Sequence, residues 1–349
     1  MSHSKSEALS LFTELLAVPS PPGREEKLAD LICAKLDGLD VTYERDGSGN
    51  VAVQVAGKSA DGGALMLAAH MDEIAMVVTA IEADGALRVT RSGGLQPYKV
   101  GEGPVEVLGS EGQVTGVLSM GSGHRADAAD YCPMWKDLRI ITGLSHESLA
   151  EAGVRVGSSA VPCRSVCGPV TFGDPGDPLV AAWTFDDRMG AVALIRLLEI
   201  MRERAIEPQR TTWVCFTVHE EGGCHGAKVL ATRHKPEVFV AIDGCPMPSE
   251  ANLSIDGRPG IWSKDKITNF DQRLVDLFCK AAERAGTELQ VAVYDSAASD
   301  ASKVYEVGAA ARVATVGHVR ENSHGYEVAR LSVFDKLLDT LVSFIEIYR

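Results

Sequence analysis

Thr212-Trp-Val-Cys-Phe-Thr-Val-His-Glu-Glu-Gly-Gly223 is an apolar run that stops in an imidazole, two carboxylates and two glycines. The run reads as a buried strand and the glycines as the bend that follows it. The same arrangement recurs along the chain. Ala64–Ala69 runs into His70-Met71-Asp72, Val238–Ile242 runs into Asp243, and Val313–Val316 lies shortly before Asn322-Ser-His324. Asp186-Asp187 stands ahead of a helix expected to begin near Arg188.

Between these strands lie stretches of helical periodicity. They are Leu9–Leu16, Glu25–Leu36 with Leu28, Ile32 and Leu36 on one face, Ala191–Arg204, Leu274–Ala285 and Leu331–Tyr348. Such alternation predicts an α/β fold, a mostly parallel sheet with helices on both faces. Ligands of open α/β sheets bind at the carboxyl ends of the strands, so the donors should meet at one edge. Imidazole nitrogen and carboxylate oxygen are zinc-type ligands. Two cations need about six ligand positions, one of them shared. His70, Asp72, Asp186, Asp187, Glu220, Glu221, Asp243 and His324 offer two imidazoles and several carboxylates, enough for such a set, which points to two-metal hydrolysis.

From about residue 76 to 175 the texture changes. Short alternating runs, Ala86–Thr90, Val105–Leu108 and Val114–Leu118, are separated by glycine-rich turns, the pattern of a small barrel or sandwich. One helix, His146–Ala152, is framed by Ser145 as N-cap and Gly153 as the residue that ends it. We therefore expect a discontinuous α/β domain over 1–75 and 176–349, interrupted by a β-rich insertion at 76–175.

The 349 residues exceed one small domain, and 45% hydrophobic content is ample for a core. A net charge of −14 excludes phosphate-backbone binding, so no nucleic acid partner is expected. No apolar stretch approaches a membrane span, and no leader is evident, so a cytoplasmic protein without membrane contact is expected. The cysteines at 33, 132, 163, 167, 215, 224, 245 and 279 are scattered and read as reduced thiols. His124 reads as a solvated loop residue, and His225 as a neighbour of the site with no partner that can be named.

Ala69-His-Met-Asp-Glu-Ile-Ala75, Phe185-Asp-Asp-Arg-Met-Gly190, Thr217-Val-His-Glu-Glu-Gly222, Ala241-Ile-Asp-Gly244 and Ser323-His324 occur in an order that resembles a known family. It is the tetrahedral (TET) metalloaminopeptidases, which include glutamyl and deblocking aminopeptidases and some members labelled endoglucanases. Gly153-Val-Arg-Val-Gly157 and Ser299-Asp-Ala301 extend the resemblance over nearly the whole chain. It implies one divalent cation held by His70, Asp186 and Asp243, and another held by Asp186, Glu221 and His324. Asp186 would bridge the two, across an Asp186-Asp187 peptide expected to be cis. Zn²⁺ or Co²⁺ would come first, with Mn²⁺ behind them. Glu220 would act as general base toward a water activated between the metals, and Asp72 would orient His70.

The implied activity is removal of N-terminal residues from peptides. The insertion would help build dimers, and these a hollow tetrahedral dodecamer. Beside the ligands the chain departs from the family: His219 stands for a glutamine, Gly244-Cys-Pro246 follows Asp243, and Gly325-Tyr-Glu327 follows His324. No side-chain specificity is carried over. Two other readings use the same residues or fold: a two-metal deacylase of small N-acyl metabolites, and a metal-free binding protein. A glycosidase would use the paired carboxylates alone and leave the histidines idle.

Overall fold

The computed structural model describes residues 2–59, 62–124, 131–248 and 252–349. Four strands buried along nearly their whole length make its centre: Thr212–Thr217, Leu65–His70, Val238–Ile242 and Arg312–Gly317. They are mutually parallel, in that spatial order, inside an eight-stranded sheet. Val51–Val55 and Tyr43–Arg45 extend one side antiparallel, and Gly260–Lys264 and Gln290–Val293 complete the other.

Side chains alternate across this sheet between two cores, as the pleat demands. Leu65, Leu67, Ala69, Val214, Phe216, Val238, Val240 and Ile242 face one core. Helices Ser2–Leu16, Phe185–Glu203, Gln272–Arg284 and Val333–Ile347 close it. Met66, Ala68, Cys215, Phe239 and Ala241 face the other, under His225–His234 and Asp300–Glu306. Both faces being covered explains why the central strands are continuous apolar runs with no polar face.

Soon after His70 the chain leaves the sheet for a closed six-stranded barrel: Ala75–Ile81, Leu87–Ser92, Gly103–Leu108, Gln113–Ser119, Arg139–Ile141 and Ser159–Pro162. Closure leaves this small unit no open sheet edge. Helix His146–Glu151 sits beside it, with Ser145 Oγ accepting from the Ser148 amide and Gly153 at positive φ, as expected. A three-stranded sheet, Val170–Phe172, Leu179–Trp183 and Tyr326–Arg330, returns the chain to the main body. No helix of the described residues is long and apolar enough to cross a membrane.

Several elements differ from the periodicity reading. The helix expected at Ala191–Arg204 starts at Phe185, although Asp186 and Asp187 keep non-helical backbone within it. His225–His234, Asp300–Glu306 and the strand Gly260–Lys264 were not anticipated. Their buried faces are short or made of small residues such as Gly226, Ala227 and Ala301, which give little periodic signal.

One buried ion network joins the parts. Arg188 is fully buried and donates to the carbonyls of Leu15, Val18 and Met71, to Ser20 Oγ, and to Glu73 Oε1 at 3.5 Å. Glu73, also fully buried, receives both a Ser20 amide and Arg164 from beyond the barrel. The N-terminal helix, the end of the central strand and the barrel exit are therefore tied to one guanidinium. Replacing it with an apolar side chain leaves several acceptors and part of a carboxylate charge buried without a donor. Arg188→Met should lower the unfolding free energy by about 3–5 kcal/mol, read as a fall in the denaturant midpoint with an unchanged slope.

Candidate active site

Because the four central strands run parallel, their carboxyl ends lie side by side. His70 ends its strand, Glu220 and Glu221 follow Thr217, Asp243 follows Ile242, and His324 comes after Gly317. Asp186 arrives from the three-stranded sheet, where Ala182 is paired with Glu327. The structure thus brings all five candidate ligands and Glu220 to one edge.

They form two triads. Donor atoms of His70, Asp186 and Asp243 lie within 4.8 Å of one another, as do those of Asp186, Glu221 and His324. Asp186 belongs to both, and its two oxygens divide between them. Oδ1 is 3.0 Å from His70 Nε2, and Oδ2 is 3.6 Å from His324 Nε2. Glu221 Oε1 stands 3.4 Å from the same His324 nitrogen. Ligand bonds near 2.1 Å in a tetrahedron place neighbouring donors about 3.4 Å apart. The donor set therefore fits a pair of divalent cations with a bridging carboxylate. The Asp186-Asp187 peptide is cis.

Asp72 is fully buried under the edge. His70 Nδ1 meets the Asp72 backbone carbonyl at 3.0 Å and the carboxylate at 3.5 Å. The carboxylate makes its shorter contacts elsewhere, accepting the Glu220 amide at 2.8 Å and the Glu221 amide at 2.9 Å. Asp72 thus orients the imidazole chiefly through its main chain and clamps the His-Glu-Glu bend with its side chain. Asp187 accepts the Gly190 amide at 3.0 Å, and a Cβ at Gly190 would lie 2.2 Å from its other oxygen.

Charge is crowded here. Burial opposes the His70 cation, yet Asp186 and Asp72 hold its imidazole well above the ordinary range. Burial likewise raises Asp186, but Arg320, His324 and His70 outweigh it and hold that carboxyl well below the usual value. Burial pushes Glu220 well above the carboxylate range, raises Glu221, and takes Asp243 to about 7. Glu221 in turn draws His324 up to about 10. These shifts are those of an acidic pocket short of positive charge, the deficit that a bound dication reverses.

Two residues of this edge escaped the sequence reading. Arg320, nearly fully buried, reaches Asp186 Oδ2 with Nη2 and Glu327 Oε1 with Nε at 2.7 Å. Glu327 then accepts the amides of Asp186 at 3.0 Å and His324 at 3.2 Å. Neither stands in a motif of metal ligands, and only the pairing of Leu179–Trp183 with Tyr326–Arg330 brings them in. Asp300, in the resembling Ser299-Asp-Ala301, accepts the Thr217 hydroxyl at 2.7 Å beneath Glu220. His225 heads its helix with its ring 6.5 Å from that of His219. His124 is exposed in a loop whose position 125 lies outside the described residues. Among the cysteines, all eight are free, and those at 33, 163, 167, 215, 224 and 245 are buried.

A cavity of about 290 Å³ opens over the edge, lined by Asp186, Glu220, Glu221, Asp243, Trp262 and His324 among others. It has room for an amino-acid side chain and an attached peptide bond beside the two triads.

A family model described as M42 glutamyl aminopeptidase matches residues 49–339. The glutamyl aminopeptidase of Lactococcus lactis subsp. cremoris (strain MG1363) is 29% identical over 262 residues, covering 72% of this chain and 71% of that protein. Among solved structures, an aminopeptidase of the archaeon Desulfurococcus kamchatkensis is 26% identical with a TM-score of 0.87, covering 98% of this chain and 95% of that one. The TET1 peptidase of Pyrococcus horikoshii, which can assemble into a tetrahedron or a large octahedral shell, is 26% identical with a TM-score of 0.83 over 98% and 99% of the two chains. The barrel, the active-site edge and all of the sheet but its edge strand Tyr43–Arg45 fall inside the family match, and the chain belongs to the M42 family of aminopeptidases, hydrolases of the peptide bond.

Proposed function

We propose that this aminopeptidase uses two divalent cations, held by His70, Asp186 and Asp243 and by Asp186, Glu221 and His324, with Glu220 as general base. The observation that carries the reading is the division of the Asp186 oxygens between two imidazoles, each in its own triad. When bound, such cations polarise the scissile carbonyl and lower the pKa of the attacking water. The imidazole and carboxylate donors suit Zn²⁺ or Co²⁺, and after them Mn²⁺.

Glu220 takes the proton from that water and returns it to the leaving amine. Burial holds the Glu220 carboxyl above the ordinary carboxylate range. Asp72 holds the Glu220 and Glu221 amides, so base and ligand keep a fixed spacing. Arg320 and Glu327 brace Asp186 and the His324 bend from behind.

The catalytic domain is assigned to 1–75 with 176–349, and the insertion at 76–175 to self-association. Two observations favour the second assignment. The Pyrococcus horikoshii relative forms closed shells, and the barrel carries exposed Val117 and Ile141 directly paired across neighbouring strands. Apolar pairs of this kind on a surface mark contact sites. Dimers built through this face, and from them a tetrahedral dodecamer, would admit peptides and exclude folded proteins. The free thiols accord with action in the reducing cytoplasm.

Chelation should abolish release of amino acids from unblocked peptides, and Zn²⁺, Co²⁺ or Mn²⁺ should restore it, while N-acetylated peptides stay intact. In the same assay Glu220→Gln should lose about 10²–10⁴-fold in turnover with metal content near that of the wild type. Cleavage of the blocked peptide would favour the deacylase reading, and surviving activity in the variant would remove Glu220 as the base.

The barrel connection also presses on the site. A Cβ at Gly94 would lie 2.3 Å from His324 Nδ1, and one at Gly93 2.8 Å from Glu221 Oε2. Gly94→Ala therefore crowds the His324 ring, and should weaken metal binding by about 10–100-fold, as loss of a ligand's support does. Equilibrium metal titration at constant melting temperature checks this; unchanged affinity would remove His324 from the ligand set.

A further inference from the structure

A third cluster of donors lies against the two triads and shares no residue with them. Carboxylate oxygens of Glu220 and Asp300 and the Cys224 sulfur are all within 4.8 Å of one another. The Cys224 thiol donates to Glu220 Oε1 at 3.4 Å and to the Glu220 carbonyl at 3.6 Å. Asp300 spends Oδ2 on the Thr217 hydroxyl, while its Oδ1 is buried and accepts no hydrogen bond. The residue is only 3% exposed, so solvent does not answer that oxygen either. A buried carboxylate oxygen without a donor is costly and calls for a partner. Glu220 and Cys224 line the catalytic cavity, which opens a path to the cluster from outside.

We propose that Glu220, Cys224 and Asp300 form an inhibitory site for a soft divalent cation, Zn²⁺ or Cd²⁺, which withdraws Glu220 from turnover when the cation is in excess. Sulfur among two carboxylates distinguishes this site from the triads, whose donors are imidazole and carboxylate alone. Thiolate selects Zn²⁺ and Cd²⁺ over Mg²⁺ or Mn²⁺. On binding, the Cys224 S–H bond breaks, a sulfur–metal bond forms, and the proton leaves to solvent with no change of oxidation state. The Asp300 carboxylate, half of whose hydrogen-bonding capacity is unmet, gains a cation beside it. Glu220, now a ligand, can no longer accept a proton from water. The loss of activity rests on the reading of Glu220 as general base; occupation of the site does not.

The test is a Cd²⁺ titration of the enzyme already loaded with its catalytic metal, for the wild type, Cys224→Ala and Asp300→Asn. Ultraviolet thiolate-to-cadmium absorption, bound cadmium per chain and peptidase rate are followed together. The wild type should gain the absorption band and one added equivalent as its rate falls. Cys224→Ala should gain neither at the same concentrations. Removal of even a ligand's supporting partner costs about 10–100-fold in metal affinity. Both variants should therefore need at least about 100-fold and 10-fold more cadmium, respectively, for half inhibition of their own uninhibited rates. Asp300→Asn keeps an oxygen for Thr217, and so separates loss of the cation site from loss of fold. Absence of an added equivalent in the wild type overturns the proposal. So does a band, stoichiometry and inhibition curve shared by all three proteins. Should the wild type bind cadmium through Cys224 and yet keep its full rate, the site stands and the role of Glu220 falls.

Discussion

Carboxylates buried side by side must be held apart or neutralised, and this edge of the sheet is built around that demand. Asp72, Asp186, Asp187, Asp243, Asp300 and Glu327 are buried, with Glu220 and Glu221 partly so, against the guanidinium groups of Arg188 and Arg320 and the imidazoles of His70 and His324. Backbone amides nearby serve several of them. Asp72 takes the amides of the His-Glu-Glu bend, Glu327 those of Asp186 and His324, and Asp187 that of Gly190. Amide donors stabilise a carboxylate without adding a full charge. What remains unbalanced, seen in the raised Asp243 and Glu220 carboxyls, is met by cations in a metal-dependent hydrolase.

The framework that creates this edge is legible in local sequence. Val238–Ile242 is apolar throughout and Thr212–Thr217 is apolar between its two threonines because a covered parallel strand has no solvent face, and charged residues follow where the strands end. The donors at those stops could be read from their positions alone. Three of the six barrel strands announced themselves by alternation between glycine turns, with limits shifted by a residue or two, while Ala75–Ile81, Arg139–Ile141 and Ser159–Pro162 did not.

What stayed hidden is long-range. Arg320 belongs to an ordinary-looking Val-Arg pair, and its buried position follows from Asp186, 134 residues earlier in the chain. Asp72 reads as the partner of the histidine beside it, yet its carboxylate serves amides 148 and 149 residues away. Helix His225–His234 begins at Cys224 in the left-handed region and buries mainly glycine, alanine and one leucine. Small residues pack a helix closely against a sheet without the large-residue stripe that periodicity detects.

The Gly93-Gly94 pair gives the barrel a second meaning. Their missing side chains let main chain of the barrel lie flush against His324 and Glu221 at the edge of the main sheet. A contact of that kind transmits displacement in both directions. Any shift of the barrel toward the sheet would be felt first where Gly94 faces the His324 ring. The absence of two methyl groups thus sets how closely the barrel and the carboxyl edge of the sheet can meet.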